Sequence, residues 1–215
     1  MRFDIFSDIV CPWCYIGKRR FARALGQRPD VDALVAWRAF QLNPDMPAEG
    51  MDRQEYITMK FGGGRRADEI YRRVSEAGAA EGLEFRFDLI RRTPNTTNAH
   101  RLIRYAGEAD MQEPVLDRLF VGYFTEGADI GLTDTLATLA GEAGLEREPV
   151  RRYLDGEDGR EAVMGDLALA YRMGITGVPC FILEGKYALP GAHEPEAFHP
   201  IFDLALQDEA KAANA

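Results

Sequence analysis

The sequence predicts an α/β fold interrupted by a large all-helical insertion, and three observations carry that expectation. Residues 2–40 read as strand, helix, strand. Residues from about 41 to 175 keep a helical period. Beyond residue 178 the chain returns to short apolar runs about a turn and then forms a last amphipathic helix.

Residues 2–7, RFDIFS, alternate as a half-buried strand does, with Phe3 and Ile5 on one face. From Trp13 the pattern turns helical, and Ile16, Phe21, Ala22 and Leu25 fall on a broad apolar face. Pro12 suits the first turn of that helix, where its missing N–H leaves nothing unsatisfied. Residues 31–40, VDALVAWRAF, give a second strand, which the prolines and glycine of QLNPDMPAEG end. Within the helical block Ile70, Val74 and Ala77 mark one helix, and Ala99, Leu102, Ile103 and Ala106 another. Val115, Leu116, Leu119, Phe120, Tyr123 and Phe124 mark a third, while Leu136, Leu139 and Ala140 follow Thr133, which reads as an N-cap. The apolar stripes are expected to be core, and no strand is expected among them. FGGGRR at 61–66 lacks the lysine and hydroxyl of a phosphate loop and follows no strand, so it reads as a helix-to-helix loop. VPCFILEGKYALPG at 178–191 reads as a β-hairpin turning at Glu184, Gly185 and Lys186. Phe198, Ile201, Phe202 and Ala205 line the closing helix, ahead of the polar tail DEAKAANA.

The formal charge of -9 repels phosphate backbones and anionic lipid, which argues against nucleic-acid or membrane partners. The short basic clusters GKRR at 17–20, GRR at 64–66 and IRR at 90–92 read as solvated faces. Asp4 and Asp8 interrupt the N-terminal apolar run, so it does not read as a signal peptide, and no run approaches the ~20 apolar residues of a membrane span. The expected location is the cytoplasm. Three cysteines in such a setting do not make a secreted disulfide framework, so a close pair is expected to be catalytic or metal-binding. Asn95-Thr96-Thr97 matches a glycosylation acceptor but carries no weight without an export signal.

That close pair is Cys11 and Cys14, in DIVCPWCYIG at the junction of the first strand and first helix. Residues three apart on a helix share a face, so the two sulfurs can close the short bridge of a disulfide. At the helix N-terminus Cys11 meets unpaired N–H groups and the positive end of the dipole, which lower a thiol pKa from about 8.5 toward roughly 3.5–7.5. Cys11 is therefore the expected attacking thiolate and Cys14, one turn further in, the resolving thiol. A zinc site needs four ligands, and only Cys180, His100, His193 and His199 remain to complete one, at no finger-like spacing, so no metal is expected. Two inert, buried cysteines are the bland alternative.

SDIVCPWCYIGKRRF resembles the opening of the DsbA-like thioredoxin-fold proteins, and specifically the FrnE-type subgroup, which carries a helical domain inserted in a thioredoxin fold. The likeness continues through RAFQLNPDMP, TPNTTNAHRL at 93–102, LFVGYFTEGADIG at 119–131 and GITGVPCFIL at 174–183. It implies a thioredoxin-like domain formed by residues 1–42 and 160–215 around a helical domain at 43–159. It also implies a thiol-disulfide oxidoreductase acting on protein or small-molecule disulfides, with no resident cofactor. A cis bond between Val178 and Pro179 is implied beside the pair, with Val178 presenting its backbone to substrate. Pro12, Trp13 and His100 join Val178 and Pro179 as substrate-facing candidates. His100 reads either as an ordinary helix residue of the insertion or as a polar group over the site. Trp13 supplies no positive charge, which argues against a strongly oxidising pair. Related hydroxychromene-carboxylate isomerases and kappa-class glutathione transferases typically have serine at the position of Cys11. A glutathione-dependent isomerase or transferase is accordingly the alternative, with glutathione kept open as co-substrate, and a non-catalytic binding module is the third. Cys180, where the family more often has an aromatic or aliphatic residue, reads as a small buried hydrophobe.

Overall fold

The computed structural model describes residues 1–213. Strand β1 (Arg2–Ser7) runs into helix α1 (Pro12–Gly26), which crosses back to β2 (Leu34–Ala39), parallel to β1 with Ile5 opposite Trp37. Near the other end β5 (Cys180–Leu183) pairs antiparallel with β1, and β6 (Tyr187–Pro190) completes a sheet of order β2-β1-β5-β6. Three residues join these strands, Leu183 pairing with Tyr187; Glu184 and Gly185 have φ of 52° and 65°, the left-handed pair of a turn that the Lys186 N–H closes on the Leu183 carbonyl at 3.0 Å.

Helix α9 (His199–Ala213) lies with α1 on one face of this sheet. Phe3, Phe21, Phe181, Phe198 and Phe202 pack edge-to-face and tilted there, with centroids 4.9–5.7 Å apart across successive pairs. Helix α8 (Arg160–Arg172) covers the other face through Ala170, which meets Phe6, Cys180 and Ile182. The strand predicted to be half-buried is thus covered on both faces over its second half, because β1 is central in the sheet.

Between β2 and α8 the chain adds α2 (Arg53–Phe61), α3 (Gly64–Ala80), α4 (Thr97–Gly107), α5 (Gln112–Thr125), α6 (Thr133–Glu142) and α7 (Arg147–Asp155). The stripes of α4, α5 and α6 expected to be core are core, with Ala99, Leu102, Phe120, Phe124, Leu136 and Ala140 fully buried, whereas in α3 Val74 is buried but Ile70 and Ala77 are only half-buried. The block is not strand-free, however. A two-residue ladder, β3 (Met51–Asp52) with β4 (Arg92–Thr93), pins the start of α2, and it is too short to show a period in the sequence. Asp52 caps α2 by accepting from the Gln54 and Glu55 N–H groups at 2.8 and 3.2 Å. Thr133, expected as a cap, lies inside its helix after Leu132 and makes no capping bond. Gly62 and Gly63 form the turn between α2 and α3, as FGGGRR suggests.

Helix α1 joins the two parts. Tyr15 stacks on Phe120 of α5 at 4.9 Å and 8°, a contact of about 0.5–1.5 kcal/mol beyond burial. GKRR is not a solvated face. Lys18 and Arg20 are buried, Lys18 pairing with Glu113 and Asp117 on α5, and Arg20 with Glu81 just after α3. These acids are 61 residues and more away in sequence, so no local pattern shows that the cations are neutralised. The turn of α1 also differs slightly from the expectation, with Ala24 buried and Ala22 exposed.

Candidate active site

The β1–α1 junction holds Cys11 as the N-cap of α1 and Pro12 as its first residue. The chain turns there because the Asp8 carbonyl accepts the Cys11 N–H and the Cys11 carbonyl accepts the Cys14 N–H, both at 3.0 Å. Pro12 has no N–H and the Cys11 and Cys14 N–H groups are taken up by those carbonyls, so the Trp13 N–H is the first-turn donor left without a backbone partner next to Cys11. Cys11 is 4% exposed and Cys14 fully buried. Both are free thiols, as is Cys180. Burial pushes the Cys14 thiol well above the ordinary cysteine range, and the adjacent Cys11 sulfur pushes it further.

The Val178–Pro179 peptide is cis and abuts the pair. Cys11 Sγ donates to the Val178 carbonyl at 3.6 Å, so the loop before β5 presents backbone directly to the reacting sulfur. Gly17 makes the approach feasible: a Cβ there would sit 2.8 Å from Pro179 Cγ and 3.3 Å from Ala192 Cβ. Arg20 fixes the segment after β6, on the other side of the same contact, by donating to the Ala192 carbonyl at 2.7 Å.

Cys11, Pro12 and Trp13 open onto a cavity of about 330 Å³ between the sheet end and the insertion. Trp13, 38% exposed, stands at its edge, and Val178 forms part of its wall. Ile70, Val74, Phe87 and Phe124 give the cavity apolar lining, while Arg53, Tyr56, Lys60 and Tyr71 bring polar groups. Burial raises the pKa of both tyrosines.

His100 is not over the site. It is buried behind Asp8, with Nε2 2.9 Å from the Phe40 carbonyl and 3.4 Å from Asp8 Oδ1, and it does not line the cavity. Asp8, itself buried, also accepts the Leu42 N–H at 2.8 Å, so this pair fixes the β1–α1 turn against the strand-end loop. Cys180 faces away from Cys11 and Cys14. Opposite Phe6 in the register, it packs with Ala170 and Ile182 on the α8 side, where burial raises its pKa.

Residues 2–202 match the family described as DSBA-like thioredoxin domain. The chain belongs to this DSBA-like family. It is 34% identical to the probable DsbA oxidoreductase of Streptomyces coelicolor, whose crystal structure superposes with a TM-score of 0.88, covering 96% of this chain and 90% of that one. It is 28% identical to the protein YwbO of Bacillus subtilis (strain 168) over 98% of both chains. The cytosolic disulfide reductase DsbM of Pseudomonas aeruginosa, determined with GSH, shares the fold at a TM-score of 0.67 and 20% identity, over 96% of this chain and 100% of that one.

Three residues of this DSBA-like site escape sequence reasoning. Gly17 had a signal, an isolated glycine inside a helical pattern, which marks close approach. Asp8 had a weak one, a carboxylate in an apolar run. Arg53 had none, because α3, β4 and α2 bury it jointly. Among the described residues no helix is long and apolar enough to cross a membrane.

Proposed function

We propose that the chain is a thiol-disulfide oxidoreductase using Cys11 as nucleophile and Cys14 as resolving thiol on protein or small-molecule disulfides. The asymmetry of the pair carries this proposal: one sulfur stands at the helix N-terminus facing a cavity and a backbone carbonyl, the other is enclosed and held protonated. Cys11 thiolate attacks one substrate sulfur, forming a mixed disulfide and releasing the first thiolate. Cys14 then gives up its proton and attacks Cys11 Sγ, releasing the second. Two electrons and two protons leave the dithiol and reduce one disulfide to two thiols, and the reverse sequence oxidises a dithiol.

No resident cofactor is needed, since both electrons reside on the sulfurs; the place for glutathione in this scheme is that of a co-substrate returning the pair to the dithiol. The oxidoreductase name of the Streptomyces relative supports this assignment. A cytoplasmic setting, which keeps thiols reduced, suits a pair working as a reductant. A glutathione-dependent isomerase would need one sulfur-binding group rather than two, so the second cysteine favours dithiol exchange.

The test is trapping in cells. Cys14→Ser, unable to resolve, should accumulate mixed disulfides detectable by mass spectrometry of non-reduced complexes, and Cys11→Ser almost none. Cys180→Ala should leave both results unchanged, because its sulfur faces the opposite side of the sheet. Equal trapping by the two serine variants, or none by either, would remove the dithiol mechanism.

A further inference from the structure

Arg53 opens α2 and lies in the cavity wall shared with Cys11, 9% exposed. Its guanidinium donates from Nη1 to the Thr93 hydroxyl at 3.0 Å and from Nη2 to the Tyr71 hydroxyl at 2.8 Å. Both acceptors are neutral. Nε is buried with no partner. The rings of Tyr56 and Tyr71 lie 5.5 and 5.4 Å from Cζ, which holds the guanidinium in place without neutralising it. Among the described residues no carboxylate pairs with Arg53.

Other buried cations of this chain are treated differently. Lys18 has Glu113 and Asp117, and Arg20 has Glu81 and Glu194. Arg101 is met by the carbonyls of Tyr153, Leu154, Gly156 and Asp158 around the end of α7. An unpaired buried charge is costly to keep; Nε is enclosed, but Nη1 and Nη2 each keep an N–H beyond the bonds to Thr93 and Tyr71, so this guanidinium in a cavity wall is matched to an anion supplied from outside. Arginine's fork favours a planar carboxylate. Ile70, Val74, Phe87 and Phe124 in the same lining would enclose an apolar body, and about 330 Å³ is at the lower end of small-molecule sites.

We propose that the cavity admits a low-molecular-weight disulfide carrying a carboxylate on a ring-sized apolar body, with Arg53 as its anion-binding residue. This rests on the dithiol assignment above. Cys11 displaces one thiolate from such a substrate and Cys14 the other, so the enzyme gains one disulfide and the substrate becomes two thiols.

Two aromatic disulfides separate the terms: 5,5′-dithiobis(2-nitrobenzoate), which carries a carboxylate on each ring, and uncharged 4,4′-dithiodipyridine. Stopped-flow oxidation of the prereduced full-length protein should slow at least tenfold for the carboxylate probe in Arg53→Met. The neutral probe should stay within twofold, and Arg53→Lys should recover part of the loss. With the wild-type protein, which avoids any folding defect, millimolar benzoate should slow the neutral probe several-fold and benzamide should not. Equal slowing of both probes in Arg53→Met, or equal effects of benzoate and benzamide, would overturn the proposal while leaving dithiol exchange intact. Failure of the wild-type protein to react with either probe would overturn the dithiol assignment and this proposal together.

Discussion

Gly17→Ala sets two effects of known sign against each other in the helix that carries the cysteine pair. Alanine is the better helix former by about 1 kcal/mol in a helix interior. Its Cβ, however, would lie 2.8 Å from Pro179 Cγ and 3.3 Å from Ala192 Cβ, so the proline ring must retreat by at least about 0.6 Å to regain ordinary contact at 3.4 Å. Overpacking of this kind costs about 1–3 kcal/mol, which leaves a net loss of up to roughly 2 kcal/mol. For a chain of this size each kcal/mol moves Tm by about 2–4 °C, so a fall of up to about 8 °C is expected. The functional effect should be larger. Val178, next in the chain, presents its carbonyl to Cys11 at 3.6 Å, and misplacement by about 1 Å can reduce a rate 10²-fold. Oxidation of the prereduced protein by a small disulfide should therefore slow at least about tenfold. Gly26→Ala, in the last turn of the same helix with nothing within 4 Å of the added carbon, is the control, and should raise Tm by roughly 1–3 °C without changing the rate. If Gly17→Ala also raised Tm and left the rate alone, the close contact between α1 and the Pro179 loop would not limit the chemistry.

The two carboxylates on Arg20 should differ sharply in thermal unfolding. Glu81, with a side chain 2% exposed, also reaches Arg23 at 2.6 Å, and Glu81→Gln should cost about 3 kcal/mol. Glu194, 58% exposed, should cost about 0.5 kcal/mol when changed to Gln, and equal losses would show that burial is not what gives the first pair its weight. The reduced protein should lose stability in alkali through Cys14. Its folded pKa is raised, so its contribution is complete below the unfolded cysteine value near 8.5 and is lost as pH climbs through the folded one. Unfolding temperatures measured between pH 7 and 10 should fall more steeply for the wild type than for Cys14→Ala, and parallel curves would contradict the burial of that thiol.

The sequence by itself determined everything that rests on local pattern. The strand-to-helix junction placed Cys11 at a helix start, with Pro12 in its first turn. Period 3.6 identified Leu102, Phe120 and Leu136 as core, and the Glu184–Gly185 turn gave the hairpin. Each depends on neighbours within a few residues, and the chain's short-range geometry enforces them wherever the element docks. Tertiary structure decided the rest. Lys18 and Arg20 look solvated until acids from α5 and the end of α3 meet them. His100 lies behind Asp8, and Cys180 turns from the pair, because helix and strand orientation depend on docking partners far away in the chain. Arg53 carries no sequence signal at all, since its burial arises where α2, α3 and β4 converge. Desolvation of a charge depends on everything that packs around it, and that neighbourhood comes from segments which meet only in the folded protein.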